Sequence, residues 1–341
     1  MSWAFEGTLL PDGDSGRVVL GDGPPQQLPG RFALVGLVDA HCHVTVTFDS
    51  NGPYLDGAGA PERLDTLAAS GITAVRDVGG DRAVTLPLSR SPRTGWPEVL
   101  AAGRFLAPRQ RYFPRMYDPV EADDLLPAVQ REIADGASWV KIIADFPQMD
   151  GSPPREETAA ASYPEEIVSA AIAGAHAAGA RVAVHTTTGL VATLIKLGVD
   201  SVEHGDELSR ADLERLGARG GAWTPTLVAA VGDARSGDQA AQSAAAELSE
   251  RLAELLPLAV ELGVTVMTGS DVVGSVAGEI ALLCKHGLDP LQALRAATTA
   301  ARAYLHCGHS QDLVTYAADP RSDPEVLTDP SAVVIRGVRV R

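Results

Sequence analysis

Six residues carry most of the chemistry this sequence could do: His41, His43, Lys141, His185, His204 and Asp271. Side chains alternate along a strand, so residues i and i+2 share a face. In Leu37-Val38-Asp39-Ala40-His41-Cys42-His43, the two histidines therefore converge on one side and Cys42 turns to the other. A pair of neutral imidazoles at a strand end makes half of a zinc site. Lys141 lies inside the apolar run Trp139-Val140-Lys141-Ile142-Ile143, and His185 closes Val182-Ala183-Val184. His204 sits in Ser201-Val202-Glu203-His204-Gly205, and Asp271 follows Thr268-Gly269-Ser270. Each has an ordinary alternative: a satisfied core histidine, a snorkelling lysine, an aspartate capping the next helix. Together, converging histidines and a carboxylate are what a metal-dependent hydrolase needs. The remaining histidines, His176, His286, His306 and His309, fall on helical stretches or in the tail, where solvated or capping roles are expected.

The elements that must position these residues follow a regular rhythm. Short runs rich in Val, Ile and Ala recur at Ala33–Ala40, Ile72–Arg76, Glu98–Ala102, Trp139–Ile143, Arg181–His185, Asp200–His204, Ala222–Thr226 and Val264–Thr268. Helical stretches separate them: Pro61–Ser70, Glu121–Asp135, Pro164–Ala178, Leu190–Leu197, Asp212–Ala218 and Ala240–Leu262, with one more running to about Leu305. Proline near the starts and glycine just past the ends is the asymmetry expected of helices. Strand and helix in alternation, with strands apolar throughout, predict an α/β fold: a parallel (β/α)8 TIM barrel over residues 31–310. Barrel enzymes place their chemistry at the C-terminal ends of the strands, and all six residues fall there. Residues 1–30 and 311–341 alternate polar and apolar between turn signals, and are expected to pair in a small β-sandwich domain beside the barrel.

Composition narrows the partners. With 28 basic and 44 acidic residues, the formal charge is −16, which argues against nucleic acid or an anionic membrane as partner. Cys42, Cys284 and Cys307 are too few and scattered for a disulfide framework. No basic, apolar leader and no long apolar span is visible, so a cytoplasmic protein acting on a small molecule is expected. Self-association into a homo-oligomer is left open.

The ordered set of motifs resembles the amidohydrolase superfamily, most closely its imidazolonepropionase-like and Xaa-Pro dipeptidase (prolidase) branch. The matching stretches are Gly36–His43, Gly71–Gly80, Gly136–Ile142, His185, Gly198–Gly205, Pro225–Leu227, Gly269–Asp271 and Ala293–Thr298. The resemblance implies that His41, His43 and Asp271 bind a buried metal and that His185 and His204 bind a more exposed one. Lys141, carboxylated by CO2, would bridge the two divalent ions, since a carbamate offers anionic oxygens where an ammonium repels cations. Zinc suits these donors, and manganese or cobalt also fit. Asp271 would accept the proton of the bridging water and return it to the leaving group, the metals having drawn that water's pKa towards ~7. The implied reaction is cleavage of an amide, peptide or cyclic amide C–N bond. Deaminases of the superfamily lack the strand-four lysine and carry a glutamate shortly after the strand-five histidine. Here Lys141 is present and Thr186 to Thr188 hold no acid. A lactonase or esterase would keep the same metals; a non-catalytic scaffold of hydantoinase-like fold would usually lose some ligands.

Three stretches depart from the family pattern: the loop Arg104–Arg115 after strand three, Thr186-Thr187-Thr188-Gly189 after His185, and the short run from Cys307 to Leu313. The first holds Arg104, Arg109, Arg111 and Arg115, with Tyr112 and Tyr117 nearby. A guanidinium fork matches a carboxylate. The ordinary alternative pairs these arginines with Glu121, Asp123 and Asp124. Taken as a cluster, Arg109, Arg111, Tyr112 and Arg115 are expected to bind the carboxylate of a dipeptide, an N-acyl amino acid or an imidazolone-type ring compound.

Overall fold

The structure, a computed structural model, describes residues 1–150, 158–232, 239–308 and 311–341, apart from the side chains of residues 240 and 241. His309 and the 310/311 domain boundary fall at or outside the edge of the described residues. Strands β1 (Leu37–Cys42), β2 (Ile72–Asp77) and β3 (Glu98–Ala101) form one parallel sheet in that order. Just downstream, Phe105–Leu106 opens a second parallel sheet. It runs through β4 (Trp139–Ile143), β5 (Arg181–Thr186), β6 (Ser201–His204) and β7 (Ala222–Thr224) to β8 (Thr265–Val266). Past β8 the chain meets β1 again. The Ala40 N–H donates to the Thr268 carbonyl at 2.8 Å, the Asp271 N–H to the His41 carbonyl at 2.7 Å, and Cys42 and Asp271 form a parallel bridge.

The strands are apolar on both faces because both are covered. Val140, Ile142, Val182, Val184 and Val202 join the main core with the helices, which include Leu125–Ala134, Glu165–Ala177 and Val276–Lys285. The opposite faces meet in a second cluster: Val38, Ala40, Ala74, Ala102, Trp139, Ala183, Ala222 and Met267, closed by Ala301 and Leu305 of the helix Thr299–Leu305. Alanines dominate this cluster, which leaves room for the fully buried Trp139 ring.

Several boundaries differ from the sequence reading. The run Ala33–Ala40 is two strands: Phe32–Leu34 pairs with Ser2–Leu9 and Leu313–Tyr316, and β1 begins at Leu37. The break falls at Gly36, whose φ of 99° favours glycine and where a Cβ would lie 2.2 Å from Thr73 Oγ1. Arg82–Arg90 is a helix that its internal Pro87 hides from pattern reading, and the last helix is two, Pro290–Ala296 and Thr299–Leu305. Ala332–Val340 is a hairpin turned by Arg336 and Gly337, both at positive φ. The terminal strands form one hydrogen-bonded sheet of seven strands, where a sandwich of two sheets was expected. Among the described residues no helix is long and apolar enough to cross a membrane.

Candidate metal centre

The C-terminal ends of the parallel strands bring His41, His43, Lys141, His185, His204 and Asp271 together. On β1 a register irregularity between Asp39 and Cys42 sets the His41 and His43 rings 5.2 Å apart at 89°. The His41 and His204 ring centroids are 5.1 Å apart and those of His185 and His204 4.4 Å. His43 Nε2 lies 3.3 Å from Asp271 Oδ1. One nitrogen or carboxylate oxygen from each of His41, His43 and Asp271 fits within 4.8 Å of the others, a group that could hold a metal ion.

Three of the imidazoles are aimed by a partner on the ring nitrogen turned away from the centre. His41 Nδ1 lies 2.7 Å from Glu203 Oε2, His43 Nδ1 is 2.8 Å from the Gly79 carbonyl, and His204 Nδ1 is 2.7 Å from Thr226 Oγ1. A donor Nδ1 fixes the tautomer whose Nε2 lone pair is free, the form a metal requires. Burial holds His41 down at about 3 and His204 at about 4, so both rings are neutral at physiological pH. His185 is likewise held well below the usual histidine range by burial and by His204. Burial would raise the Asp271 carboxyl, but the adjoining His43 and the other imidazoles hold it well below the usual carboxylate range.

Lys141 sits in β4 at 1% exposure, and its Nζ has no hydrogen-bond partner among the described residues. Burial draws its amine down to about 8. An unpaired buried ammonium is costly, so the pocket raises the share of neutral, nucleophilic amine above that of an exposed lysine.

Sequence reasoning missed the layer beneath. Glu203 is fully buried between His41 and Arg76, whose Nη2 is 2.7 Å from Glu203 Oε1. Arg76 also donates through Nε to the Ala40 carbonyl at 2.6 Å and lies 4.5 Å over the Trp139 ring. Strand alternation alone would send Glu203 and His204 to opposite faces. His204 adopts φ of 67°, as do Thr226 at 46° and Asp271 at 53°. Non-glycine residues in that region are strained, and such strain gathers at functional sites. An arginine inside the apolar stretch of β2 was the available signal, of the same kind as Lys141.

The threonines after His185 have a structural role. Buried Asp145 accepts from the Thr187 N–H and the Thr188 hydroxyl, both at 2.9 Å, and from the Thr186 hydroxyl. The carboxylate therefore fixes the loop that leaves His185.

The loop after β3 divides. Tyr112 is buried and lines an inner cavity of about 170 Å³ with the four histidines and Asp271. Arg109, Arg111 and Arg115 line neither that cavity nor the outer one of about 800 Å³ beside it. Arg115 is held by Asp49 through two contacts of 2.7 and 2.8 Å, Arg111 donates to the Phe146 carbonyl at 3.0 Å, and Arg104 lies 3.0 Å from buried Glu132. The Arg109 N–H is 3.4 Å from Glu121. Of the acids named as the alternative partners of this loop, Glu121 meets only that backbone N–H, Asp123 and Asp124 open the turn before Leu125–Ala134, and Asp49 and Glu132 take up Arg115 and Arg104.

Residues 32–310 match the Amidohydrolase family. The chain belongs to that family. An uncharacterized protein of Mycobacterium tuberculosis (strain ATCC 25618 / H37Rv) is 32% identical over 325 residues, covering 90% of this chain and 85% of the relative. Among solved structures, a prolidase complexed with N-methylphosphonate-L-proline superposes with a TM-score of 0.78 at 24% identity over 100% of both chains. A Xaa-Pro dipeptidase with bound methionine gives 0.79 at 20% over 99% of each. A. niger ochratoxinase gives 0.80 at 18%, over 100% of this chain and 95% of that one. At these identities the structures are alike in fold.

Proposed function

We propose that this chain is a binuclear metal-dependent amidohydrolase that cleaves the C–N bond of an amide, peptide or cyclic amide. The observation that carries the reading is Lys141: a buried amine without a hydrogen-bond partner among the described residues, close enough to His41, His185, His204 and Asp271 to be coupled to each electrostatically. Such an amine is suited to add its lone pair to CO2 and release one proton, leaving a carbamate whose oxygens serve two cations. His41, His43 and Asp271 would hold one ion, His185 and His204 the other, with the carbamate shared. Nitrogen and oxygen donors of this kind suit Zn2+. When bound, the ions supply Lewis acidity toward the scissile carbonyl and a hydroxide at neutral pH.

The chain's own residues supply the rest. Asp271 takes the proton of the attacking water on its carboxylate and returns it to the departing nitrogen. Tyr112 has the one hydroxyl among the described residues lining the inner cavity, placed to donate to the substrate carbonyl oxygen. Phe105, 5.1 Å from His43, and Phe146, 5.4 Å from His185, keep water away from the ligands. We also infer that the eight strands close as a (β/α)8 barrel. The bonds from Ala40 and His41 to the segment after β8 support this, as does the shared inner cluster. Arg111 and Arg115 are held by Phe146 and Asp49, and no arginine of the loop lines either cavity, which gives no support to a carboxylate anchor there.

Lys141→Ala tests the reading. It should lose bound metal and hydrolysis of simple amides and dipeptides, and added short-chain carboxylates should restore part of both. A variant that keeps full metal content and rate contradicts it.

A further inference from the structure

We propose that Glu279 is a positioning residue of the metal centre: by holding the backbone after β7 it sets Thr226, and through Thr226 the ring of His204. The inference rests on the amidohydrolase reading and deepens it. Glu279 lies on the helix Val276–Lys285, outside the six side chains of the centre. It is fully buried, and each of its oxygens faces a backbone N–H: Oε2 accepts from Leu227 at 2.9 Å and Oε1 from Val228 at 2.6 Å. A carboxyl group is costly to bury unless its polar atoms are paired, and here the pairing is entirely with this one segment of backbone.

The segment needs such a partner. Strand β7 ends at Thr224, and Val228–Gly232 coils into a wide helical turn. Between them Thr226 stands at φ of 46°, a region costly for a β-branched residue. N–H groups at the start of a helix have no partner within it, and those of Leu227 and Val228 find theirs on Glu279. The Ala230 N–H closes the turn onto the Thr226 carbonyl at 3.0 Å. Strained backbone persists only where its surroundings over-determine it. The two bonds to Glu279 supply that on the C-terminal side of Thr226.

Thr226 passes the constraint on. It is fully buried, and its Oγ1 lies 2.7 Å from His204 Nδ1. A turn of the Thr226 backbone would carry that oxygen off the ring, and with it the tautomer and the aim of the His204 Nε2 lone pair. The two segments also fit closely. A Cβ at Gly274 would lie 3.0 Å from Val228 Cβ, and one at Gly278 3.2 Å from Val228 Cγ2. The loop after β7, which holds Thr226, is therefore seated on the start of the helix that follows Asp271, with Glu279 as the polar link. If Glu279 served stability alone, its loss would lower Tm and leave zinc binding as it was.

The experiment titrates zinc by chelator competition in the full chain, comparing wild type with Glu279→Gln, Glu279→Asp, Thr226→Val and the double variant Glu279→Gln/Thr226→Val. Glutamine turns an NH2 toward one of the two N–H groups, and aspartate falls one methylene short of them. Leu283→Ala, a fully buried position on the same helix, is the control for lost packing. In both Glu279 variants one of the two zinc ions should bind ~10-fold less tightly, the scale on which outer partners of ligating histidines act, and the other as in wild type. Thr226→Val should give a similar loss. The double variant should lose little more than either single one, because residues that act through one path are not additive. Leu283→Ala should lower Tm and leave both zinc affinities unchanged. Wild-type zinc affinity in Glu279→Gln and Glu279→Asp, an equal loss in Leu283→Ala, or fully additive losses in the double variant each overturn the positioning role while the wild type still holds its two ions. A wild-type chain that binds no zinc overturns the amidohydrolase reading, and this role with it.

Discussion

Replacing Glu203 with glutamine probes the support beneath the centre. The carboxylate is fully buried, 2.7 Å from both His41 Nδ1 and Arg76 Nη2, and Ser201 also donates to it. Glutamine keeps the shape but has one oxygen. If that oxygen faces His41, the amide NH2 confronts the Arg76 guanidinium; if it faces Arg76, the NH2 confronts His41 and forces the wrong tautomer. Breaking a buried ion pair costs about 3–5 kcal/mol. Taking about 3 kcal/mol and the shift of ~2 °C per kcal/mol usual for larger domains, Tm should fall by roughly 6 °C. Losing the carboxylate partner of a ligating histidine typically costs ~10–100-fold in metal affinity, so zinc should bind more weakly by that factor. Scanning calorimetry of the metal-free protein and a chelator-competition titration with zinc measure the two effects. A Tm within about 1 °C of wild type, together with unchanged zinc affinity, would refute the account of Glu203 as the residue that orients His41.

Further outcomes are expected. Tyr112→Phe should lower kcat by ~10²–10³-fold with little change in KM, as removal of an oxyanion donor does; a change confined to KM would mean that the hydroxyl only binds substrate. Asp271→Asn should lower kcat by at least ~10²-fold, measured at saturating zinc so that lost metal is not read as lost proton transfer, and an undiminished kcat would remove Asp271 from the proton path. Glu279 accepts from the Leu227 and Val228 N–H groups at 2.9 and 2.6 Å, and burial pushes its carboxyl from 4.5 up to about 8. Its folded value exceeds its unfolded one, so unfolding releases a proton between them. Its stabilising effect is complete below the unfolded value and is lost as pH rises through about 8. The Tm of wild type minus that of Glu279→Gln should therefore decline across that window, and a difference that grows with pH would contradict the assignment.

The site was legible where spacing alone places a side chain. His41 and His43 share a face, Lys141 interrupts an apolar run, and His185 ends one. His204 and Asp271 could be named from their position after strands, but what turns them inward is backbone at positive φ, which strand periodicity does not register. Glu203 was hidden for the same reason, since alternation separates it from its neighbour His204. Arg76 carries a signal as strong as that of Lys141, yet an arginine on a strand reads as a surface residue until the fold buries it. The pairing in the loop after β3 was not legible because its partners are distant in sequence: Asp49 and Glu132 take up Arg115 and Arg104, while of the nearby acids only Glu121 meets the loop, at the Arg109 N–H. Its aromatic residues, not its arginines, face the cavity. Phe146 lies just past the end of β4, where no periodic pattern marks it as part of a wall.

The central claim is that six side chains from five strand ends form one binuclear centre bridged through Lys141. Elemental analysis of protein grown with zinc and freed of loose metal tests it most directly, with Lys141→Ala measured alongside. The account predicts about two divalent ions per chain in the wild type, the stoichiometry of a two-metal site, and a clear loss in the variant. A wild-type chain that holds no tightly bound metal, or a variant that holds as much as the wild type, would contradict it.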